Sequence, residues 1–369
     1  CPNGPPMLNE FADSSQKYKE VVCTQEQLLT TCTTMLEENN RDATKPIDIV
    51  LFSEAIDHLS SLSRIFAMNR GHALLVGVKS SGRKSLARLA LHTASFESFE
   101  IAITRTYGFN EWREDLKNLF KQCGEQDVPT GFILTDVQII MPQQLEDLSN
   151  LLINCKIPHM YERDEMDQIR AEMAQNIEIT TEGTDLFEMF IERVRKNLHI
   201  ILVFSPFGSV FKDAMLSYQA IRNETTIDWY MPWSQDALES VGKSSLTKTD
   251  NLKSIVSVCV NIHKSVEQYA EKFLKDTKRF TSVTPSRYFE LLTTFNTKLH
   301  KKTLENEELI NKYTNGVEQI KTTRIQIDEM SKQLNTDIPI LKKTRGEVES
   351  FLEQLKVKSA EVEATKQEV

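Results

Sequence analysis

A short apolar run, His72-Ala73-Leu74-Leu75-Val76, breaks into Gly77-Val78-Lys79-Ser80-Ser81-Gly82-Arg83-Lys84-Ser85 and resumes as a helical pattern over residues 86–91. A strand that turns through glycines into a helix presents backbone N–H groups at the helix N-terminus, the arrangement that cradles phosphates. The frame predicts a nucleotide-binding P-loop with Gly77, Val78, Lys79, Ser80, Ser81, Gly82, Arg83, Lys84 and Ser85 as its phosphate-binding residues. A hydrolytic loop of this kind carries Lys for the β/γ-phosphates and then Ser or Thr for magnesium. Those two slots hold Arg83 and Lys84. Arg83 is expected to take over from the lysine and, with Lys79 and Lys84, to grip a diphosphate. An ammonium at position 84 repels a metal ion, unless Ser85 supplies the hydroxyl through a shifted loop. Side chains at Lys79 and Ser80 also narrow the backbone's approach to the phosphates. The frame argues for binding and the substitutions argue against ordinary hydrolysis.

Around this loop, strand-like and helix-like segments alternate from Gly71 to Trp229. Strands are expected at residues 73–76, 99–103, 131–134, 199–204 and 225–227, with helices near 85–93, 110–123, 142–153 and 186–196. Such alternation predicts an α/β fold, a parallel sheet flanked by helices on both faces. Residues 1–45 read as a polar lead-in with helical stretches near 16–22 and 26–38. The apolar run at residues 47–52 is expected to line an adenine pocket through Val50, Leu51 and Phe52, ahead of an amphipathic helix over 54–68. A hydrolysing site needs a second buried strand ending in Asp-Glu. Phe132-Ile133-Leu134-Thr135-Asp136-Val137 supplies the strand and the Asp, but Val137 fills the Glu slot. Gln138 is one residue too far and, on a strand, would face the opposite way. Without a base or water-positioner, in-line attack on a γ-phosphate lacks an aligned component.

From Gln235 to about His300 the pattern is helical only, and Pro285 is placed to open a helix after Thr284. Beyond it Ile320, Ile327, Leu334, Leu341, Val348, Leu355, Val362 and Val369 recur at every seventh position. That repeat predicts a long coiled-coil helix. A second row (Val317, Arg324, Ser331, Ile338, Arg345, Leu352, Ser359) is only partly apolar, so the seam is weakly specified. Pro339 is expected to loosen or kink the rod. Such a rod needs a partner helix, and the pattern reads as the outgoing half of an antiparallel hairpin. Both ends of the chain read as the middle of something longer: the start is neither basic nor followed by an apolar core, and the end has no capping signal.

Composition narrows the remaining choices. A net charge of −9 without a basic stripe argues against a nucleic-acid partner. No run approaches the roughly 20 apolar residues that would span a bilayer, so no membrane partner is expected. Six scattered cysteines, with no CxxC pair, suggest buried, reduced thiols rather than a disulfide framework or zinc site.

Several longer motifs carry a resemblance. Residues 72–77, Tyr107-Gly108-Phe109-Asn110-Glu111-Trp112-Arg113-Glu114-Asp115-Leu116, residues 191–199, Thr226-Ile227-Asp228-Trp229 and Val283-Thr284-Pro285-Ser286-Arg287-Tyr288-Phe289 resemble dynein heavy chains. They resemble the fourth AAA+ module of the motor ring and the stalk helix leaving it. The degenerate loop and the Asp without Glu resemble the axonemal type. The resemblance implies a lead-in over residues 1–46, a large α/β subdomain over 47–234, a small helical subdomain over 235–290 and a stalk helix over 291–369. Gly77–Lys84 would then be Walker A, and Asp136 the Walker B carboxylate and the one metal-side ligand. Ser205 falls at sensor I, Arg287 at sensor II, and Glu224 stands in the arginine-finger slot with Arg222 nearby. Trp112, Trp229 and Trp233 are expected to pack in the core or between subdomains rather than to touch ligand. The implied cofactor is ADP or ATP, with Mg2+ possible. The implied partners are neighbouring AAA+ modules of the same heavy chain, the returning stalk helix and other dynein subunits. The microtubule would be reached only through a stalk tip beyond Val369. The implied setting is the cytoskeleton of a cilium or flagellum, the axoneme. Function is then that of a weakly hydrolysing or non-hydrolysing ring module coupling ring to stalk. Two alternatives stay open: a working regulatory ATPase in which Glu111 or Glu114 replaces the missing base, and a nucleotide-free interaction scaffold.

Overall fold

A computed structural model describes residues 25–42, 46–47, 49–176, 185–246 and 251–367. The helix expected near residues 16–22, Cys1, Cys23 and Val369 lie outside these. In chain order the elements are α1 (Gln25–Asp42), α2 (Ser53–Ala67), β1 (Ala73–Gly77), α3 (Arg83–Thr93), β2 (Glu97–Glu100), α4 (Phe109–Phe120), β3 (Thr130–Thr135), α5 (Pro142–Asn154), α6 (Arg163–Asn176), α7 (Leu186–Asn197), β4 (Leu198–Phe204), α8 (Ser209–Ser217), α9 (Gln219–Asn223), β5 (Thr226–Tyr230), α10 (Gln235–Ser245), α11 (Leu252–Thr277) and α12 (Pro285–Gln367). A π-helical turn extends α4 over Lys121–Glu125, and a 3-10 turn spans Asp136–Gln138. The chain divides into two units, Cys1–Thr294 and Phe295–Val369.

In the first unit the five strands form one sheet in the order β2-β3-β4-β1-β5, every pair parallel. Parallel strands need helical crossovers on both faces, so central strands read as unbroken apolar runs. β1 and β4 are buried at every residue. Their side chains alternate between two cores. Leu74, Val76, Phe132, Leu134, Ile200, Leu202 and Phe204 enter the core that α4, α5 and α7 cover, whereas Ala73, Leu75, Ile133, Ile201 and Val203 enter the one under α1, α2 and α3. Each fully buried Leu, Ile or Phe contributes about 1.5–3 kcal/mol of hydrophobic stabilisation. Trp112 is fully buried, its indole N–H donating to Asp147 (2.9 Å). Cys32, Cys123, Cys155 and Cys259 are free and buried; burial pushes the Cys123 thiol up to about 12 and Cys32 and Cys155 up to about 11.

Two strands differ from the sequence expectation in ways that shape the site. β2 lies earlier, at Glu97–Glu100 rather than 99–103. It is the sheet's edge, its N-terminal residues are exposed, and its register is set by pairing Phe99 with Phe132 and Glu100 with Ile133. β5 runs on to Tyr230, which pairs with Gly77. Helices α6, α8 and α9 carry no strong sequence signal and were not expected. After the sheet, α10 and α11 pack together, and the first turns of α12 bury Tyr288 and Leu292. The Tyr288 hydroxyl donates to Leu238 O (3.0 Å).

The second unit is the body of α12. The helix is continuous through Pro339, so the proline does not end it. At 1.5 Å per residue, its 83 residues reach about 125 Å. The heptad row from Ile320 to Val362 is 52–70% exposed. Among the described residues no helix is long and apolar enough to cross a membrane.

Candidate functional site: the P-loop and its surroundings

The loop leaves β1 at Gly77, directly beneath Tyr230. A Cβ at Gly77 would stand 2.7 Å from Tyr230 Cβ and 3.0 Å from Tyr230 O, closer than side chains pack, so only glycine passes here. Ser80 (φ 63°) and Gly82 (φ 87°) then turn the chain through the left-handed region, and Gly82 becomes the N-cap of α3. The Ser81 hydroxyl donates to Val78 O (2.9 Å), closing the turn. The structure brings Lys79, Ser80, Ser81, Gly82, Arg83, Lys84 and Ser85 to a cavity of ≈ 300 Å3 that Thr135, Asp136, Val137 and Val203 also line.

Arg83 does not face outward to grip a diphosphate. It is 7% exposed, and its guanidinium turns back under the loop. Nη1 donates to Phe204 O (2.5 Å) and, at 3.4 Å, to Leu75 O, while Nη2 donates to Val78 O (3.0 Å). A planar fork suits this task, since β1 and β4 are adjacent and present carbonyls at their C-terminal ends. Burial lowers the Arg83 pKa, with Asp136 and Tyr230 opposing that fall.

Lys84 stays at the cavity, held by an ion pair. Its ammonium lies 2.8 Å from Glu100 at the end of β2. Glu100 also accepts two bonds from Arg88 (2.7 and 2.8 Å). Burial raises the Glu100 pKa, but the bonds from Arg88 and Lys84 outweigh it and leave the carboxyl below its ordinary value. Lys79 is exposed and lines the cavity as well.

The segment expected to be Walker B ends differently from a simple strand. β3 stops at Thr135, and Asp136–Gln138 form a 3-10 turn. Asp136 Oδ2 accepts the Ser205 backbone N–H (3.0 Å), so Ser205 reaches the site through its main chain. Val137 is 67% exposed and lines the loop cavity. Gln138 is not on a strand. Its Oε1 accepts from Thr135 N–H and hydroxyl (both 2.8 Å), and its Nε2 donates to Ile101 O (2.6 Å), tying the end of β3 to the chain leaving β2. Glu111 and Glu114 are not brought to the loop. Glu111 caps α4 by accepting the Gly108 N–H (2.9 Å), and Glu114 lines a separate groove with Arg113 and Lys117. Nor does Arg287 reach it: its side chain is 71% exposed and pairs with Glu290 one turn on (2.8 Å).

A second cavity, ≈ 220 Å3, adjoins the loop and has the apolar walls a purine requires. Val50 and Phe52 line it with Ser80, Ser81, Gly82, Ser85 and Leu86. Leu51 turns away and packs against the core beneath α2. Ile49 of the same 47–52 run lines it too, whereas sequence reasoning missed the remaining wall: Ala55, Trp233, Val241 and Phe289. Trp233 stands edge-on between Phe52 (5.4 Å) and Phe289 (5.8 Å), so it both packs elements together and faces the cavity. Trp229, half exposed, lines a neighbouring ≈ 280 Å3 hollow with His58 and Tyr230. There Asp228 holds His58 Nδ1 (2.9 Å) and the imidazole stacks on Tyr230 at 3.8 Å. No spacing in the sequence pointed to this trio, which joins α2 to β5.

The residues present fit a nucleotide better than a magnesium ion. The Tyr230 hydroxyl is buried beside the loop without a hydrogen-bond partner, and an apolar slot opens next to a cradle of backbone amides. For magnesium the donor set is wrong. Octahedral coordination at 2.0–2.1 Å normally takes one or two carboxylates plus phosphate oxygens and waters. Asp136 is the sole carboxylate lining the cavity, and one of its oxygens is already bonded. In the hydroxyl's slot stands an ammonium fixed by Glu100.

Comparison with known proteins places this geometry. The family described as P-loop containing dynein motor region D4 matches residues 47–298. Human dynein axonemal heavy chain 1 is 33% identical over 381 aligned residues, taking in 100% of this chain and 9% of that protein. Dynein axonemal heavy chain 2 of Mus musculus is 35% identical over 90% of the chain and 8% of its own length. The dynein-1-beta heavy chain of the flagellar inner arm I1 complex of Chlamydomonas reinhardtii is 37% identical over 78% of the chain. This chain therefore spans less than a tenth of the relatives it matches. The parallel sheet, the glycine-turned loop at its C-terminal edge and these likenesses agree, and the chain belongs to the axonemal dynein heavy-chain family, carrying its P-loop motor region D4.

Proposed function

We propose that this chain is the fourth AAA+ module of an axonemal dynein ring with the outgoing helix of its stalk, and that it holds ADP or ATP with little or no turnover. One observation carries the second half of that reading: Val137 fills the position of the water-orienting Glu, and Asp136 is the only acidic residue lining the loop cavity. A phosphate held there meets amides and ammonium groups but no base, so ground-state binding is favoured without alignment of water. Residues 47–234 would be the large subdomain, 235–290 the small one and 291–369 the stalk, with the module supporting the ring and passing its movement on. The apolar heptad row supports pairing with a returning helix. Neighbouring modules, other dynein subunits and, through the stalk tip, a microtubule are the partners this reading assigns. The names of the relatives support an axonemal setting in a cilium or flagellum.

The test is nucleotide content and turnover on one batch of protein. Released nucleotide is identified by chromatography after denaturation, and phosphate release is followed in parallel. Bound ADP or ATP near one per chain, with phosphate release no faster than that of Asp136→Asn, is expected. Turnover that Asp136→Asn abolishes would overturn it. Arg83 favours a second reading, the nucleotide-free scaffold: its bonds to Val78 and Phe204 close the loop without any phosphate. An empty and inert protein would leave that one.

A further inference from the structure

We infer that the loop takes its nucleotide as the metal-free anion, with Lys84, clamped by Glu100, as the fixed cation in magnesium's place. This rests on the nucleotide-holding reading above and adds the ionic form of the ligand. Lys84 is the second residue of α3, in the first turn of the helix whose N-terminus the loop caps. Its ammonium sits against Glu100 at 2.8 Å, and Glu100 in turn takes both ends of the Arg88 fork. Two cations around one carboxylate leave the cluster with a net positive charge at the rim of the cavity. The cluster spans the crossover from α3 to β2. Because Glu100 pairs with Ile133 in the sheet, its carboxylate is anchored to rigid main chain. Lys84 is thereby held near the loop without being neutralised by a private partner.

The remaining charges point the same way. Lys79 and Lys84 are the cations lining the cavity that are not spent on carbonyls, since Arg83 donates to Phe204, Leu75 and Val78. With the backbone amides and the α3 N-terminus they supply the positive potential that magnesium supplies elsewhere. Asp136, the one carboxylate available to a metal, is shared with the Ser205 N–H. A magnesium ion in this cavity would meet one half-used carboxylate, Asp136, and the Lys84 ammonium. A site so built selects the free di- or triphosphate over its magnesium complex.

The experiment is a fluorescence titration of the full chain with N-methylanthraniloyl-ADP, once with EDTA and once with excess magnesium chloride. In EDTA the affinity is expected to match or exceed that in magnesium, because the metal only withdraws free nucleotide in solution. Electron paramagnetic resonance with Mn2+ and ADP should show no protein-bound Mn2+–nucleotide signal. Lys84→Thr puts a hydroxyl in the slot and is expected to reverse the order, magnesium now tightening binding by about tenfold. If wild-type protein binds about tenfold tighter with magnesium, or shows the bound Mn2+ signal, the inference is overturned while nucleotide holding survives. If neither form binds, the nucleotide-holding reading falls and takes this inference with it. Should Lys84→Thr fail to fold, the wild-type titration and the Mn2+ spectrum decide alone.

Discussion

Replacing Arg83 by Ala separates two roles that its slot confounds. Were the guanidinium a phosphate grip, the substitution would weaken nucleotide binding and leave the fold intact. Its geometry instead makes Arg83 a bracket between the ends of β1 and β4 and the loop. Two of its bonds, to Phe204 O and Val78 O, lie within 3.0 Å, and hydrogen bonds to charged groups contribute about 1.5–3 kcal/mol each. Their loss is partly offset, because a guanidinium only 7% exposed no longer has to be desolvated and the freed carbonyls admit water. The net cost of Arg83→Ala is therefore about 2–4 kcal/mol, or roughly 3–7 °C in the melting temperature of a unit this size. Arg83→Lys keeps the charge but not the fork, and should recover less than half of the loss. The assay is thermal and urea unfolding of the full chain followed by far-UV circular dichroism. A stability within about 0.5 kcal/mol of wild type, the usual range for exposed positions, would refute the reasoning.

Three further predictions concern other parts of the molecule. His72 is buried and accepts the Ile200 N–H at Nδ1 (3.0 Å); burial, reinforced by His199 and Arg70, lowers its pKa to about 3. The unfolded chain thus binds a proton the folded one refuses, so stability present above pH 6.5 is lost as pH falls towards 3, by about 2 kcal/mol between 6.5 and 5. His199, lowered in the same direction, adds to the fall, and His72→Gln should flatten it in urea midpoints measured at those two pH values. Trp233→Ala removes two edge-on ring contacts, costing about 1–3 kcal/mol of stability. The same change is expected to weaken binding of methylanthraniloyl-ADP more than that of inorganic pyrophosphate, which has no base; equal loss for both would count against the purine slot. Finally, the exposed heptad row should drive concentration-dependent self-association of the chain in sedimentation equilibrium, and Leu334→Glu with Leu341→Glu should return it to monomer. Wild-type protein that stays monomeric at all concentrations would refute that expectation.

The sheet was legible where burial is symmetrical. β1, β3 and β4 sit inside it, so both faces demand apolar side chains and the runs 73–76, 131–134 and 199–204 stand out. β2 was misplaced because Glu97-Ser98-Phe99-Glu100 is an edge whose register comes from its neighbour β3 and not from its own pattern. The loop was legible as a loop because Gly77 and Gly82 answer local demands, a close approach and a positive φ. What its side chains do was not, since a slot in sequence fixes where a Cα lies but not which way a long side chain turns. Arg83 turns inward because strand order sets carbonyls of β1 and β4 side by side, and Lys84 is held at the edge of the cavity because β2 ends at Glu100. Gln138 was misread for a related reason. Its direction follows from the 3-10 turn at Asp136, where the strand had been expected to continue. Pro339 passes without ending α12.

The apolar row on α12 has a geometric consequence of its own. Residues repeating every seventh position lag a 3.6-residue helix by about 20° per repeat. From Ile320 to Val362 there are six repeats, so the row winds left-handed through about 120° of the cylinder. Any helix that keeps to the row must follow a screw path. Advancing by one repeat carries it about 10.5 Å along the axis and about 20° around it. Translation and rotation of such a partner are then one degree of freedom, with the thread pitch written into the spacing of seven residues.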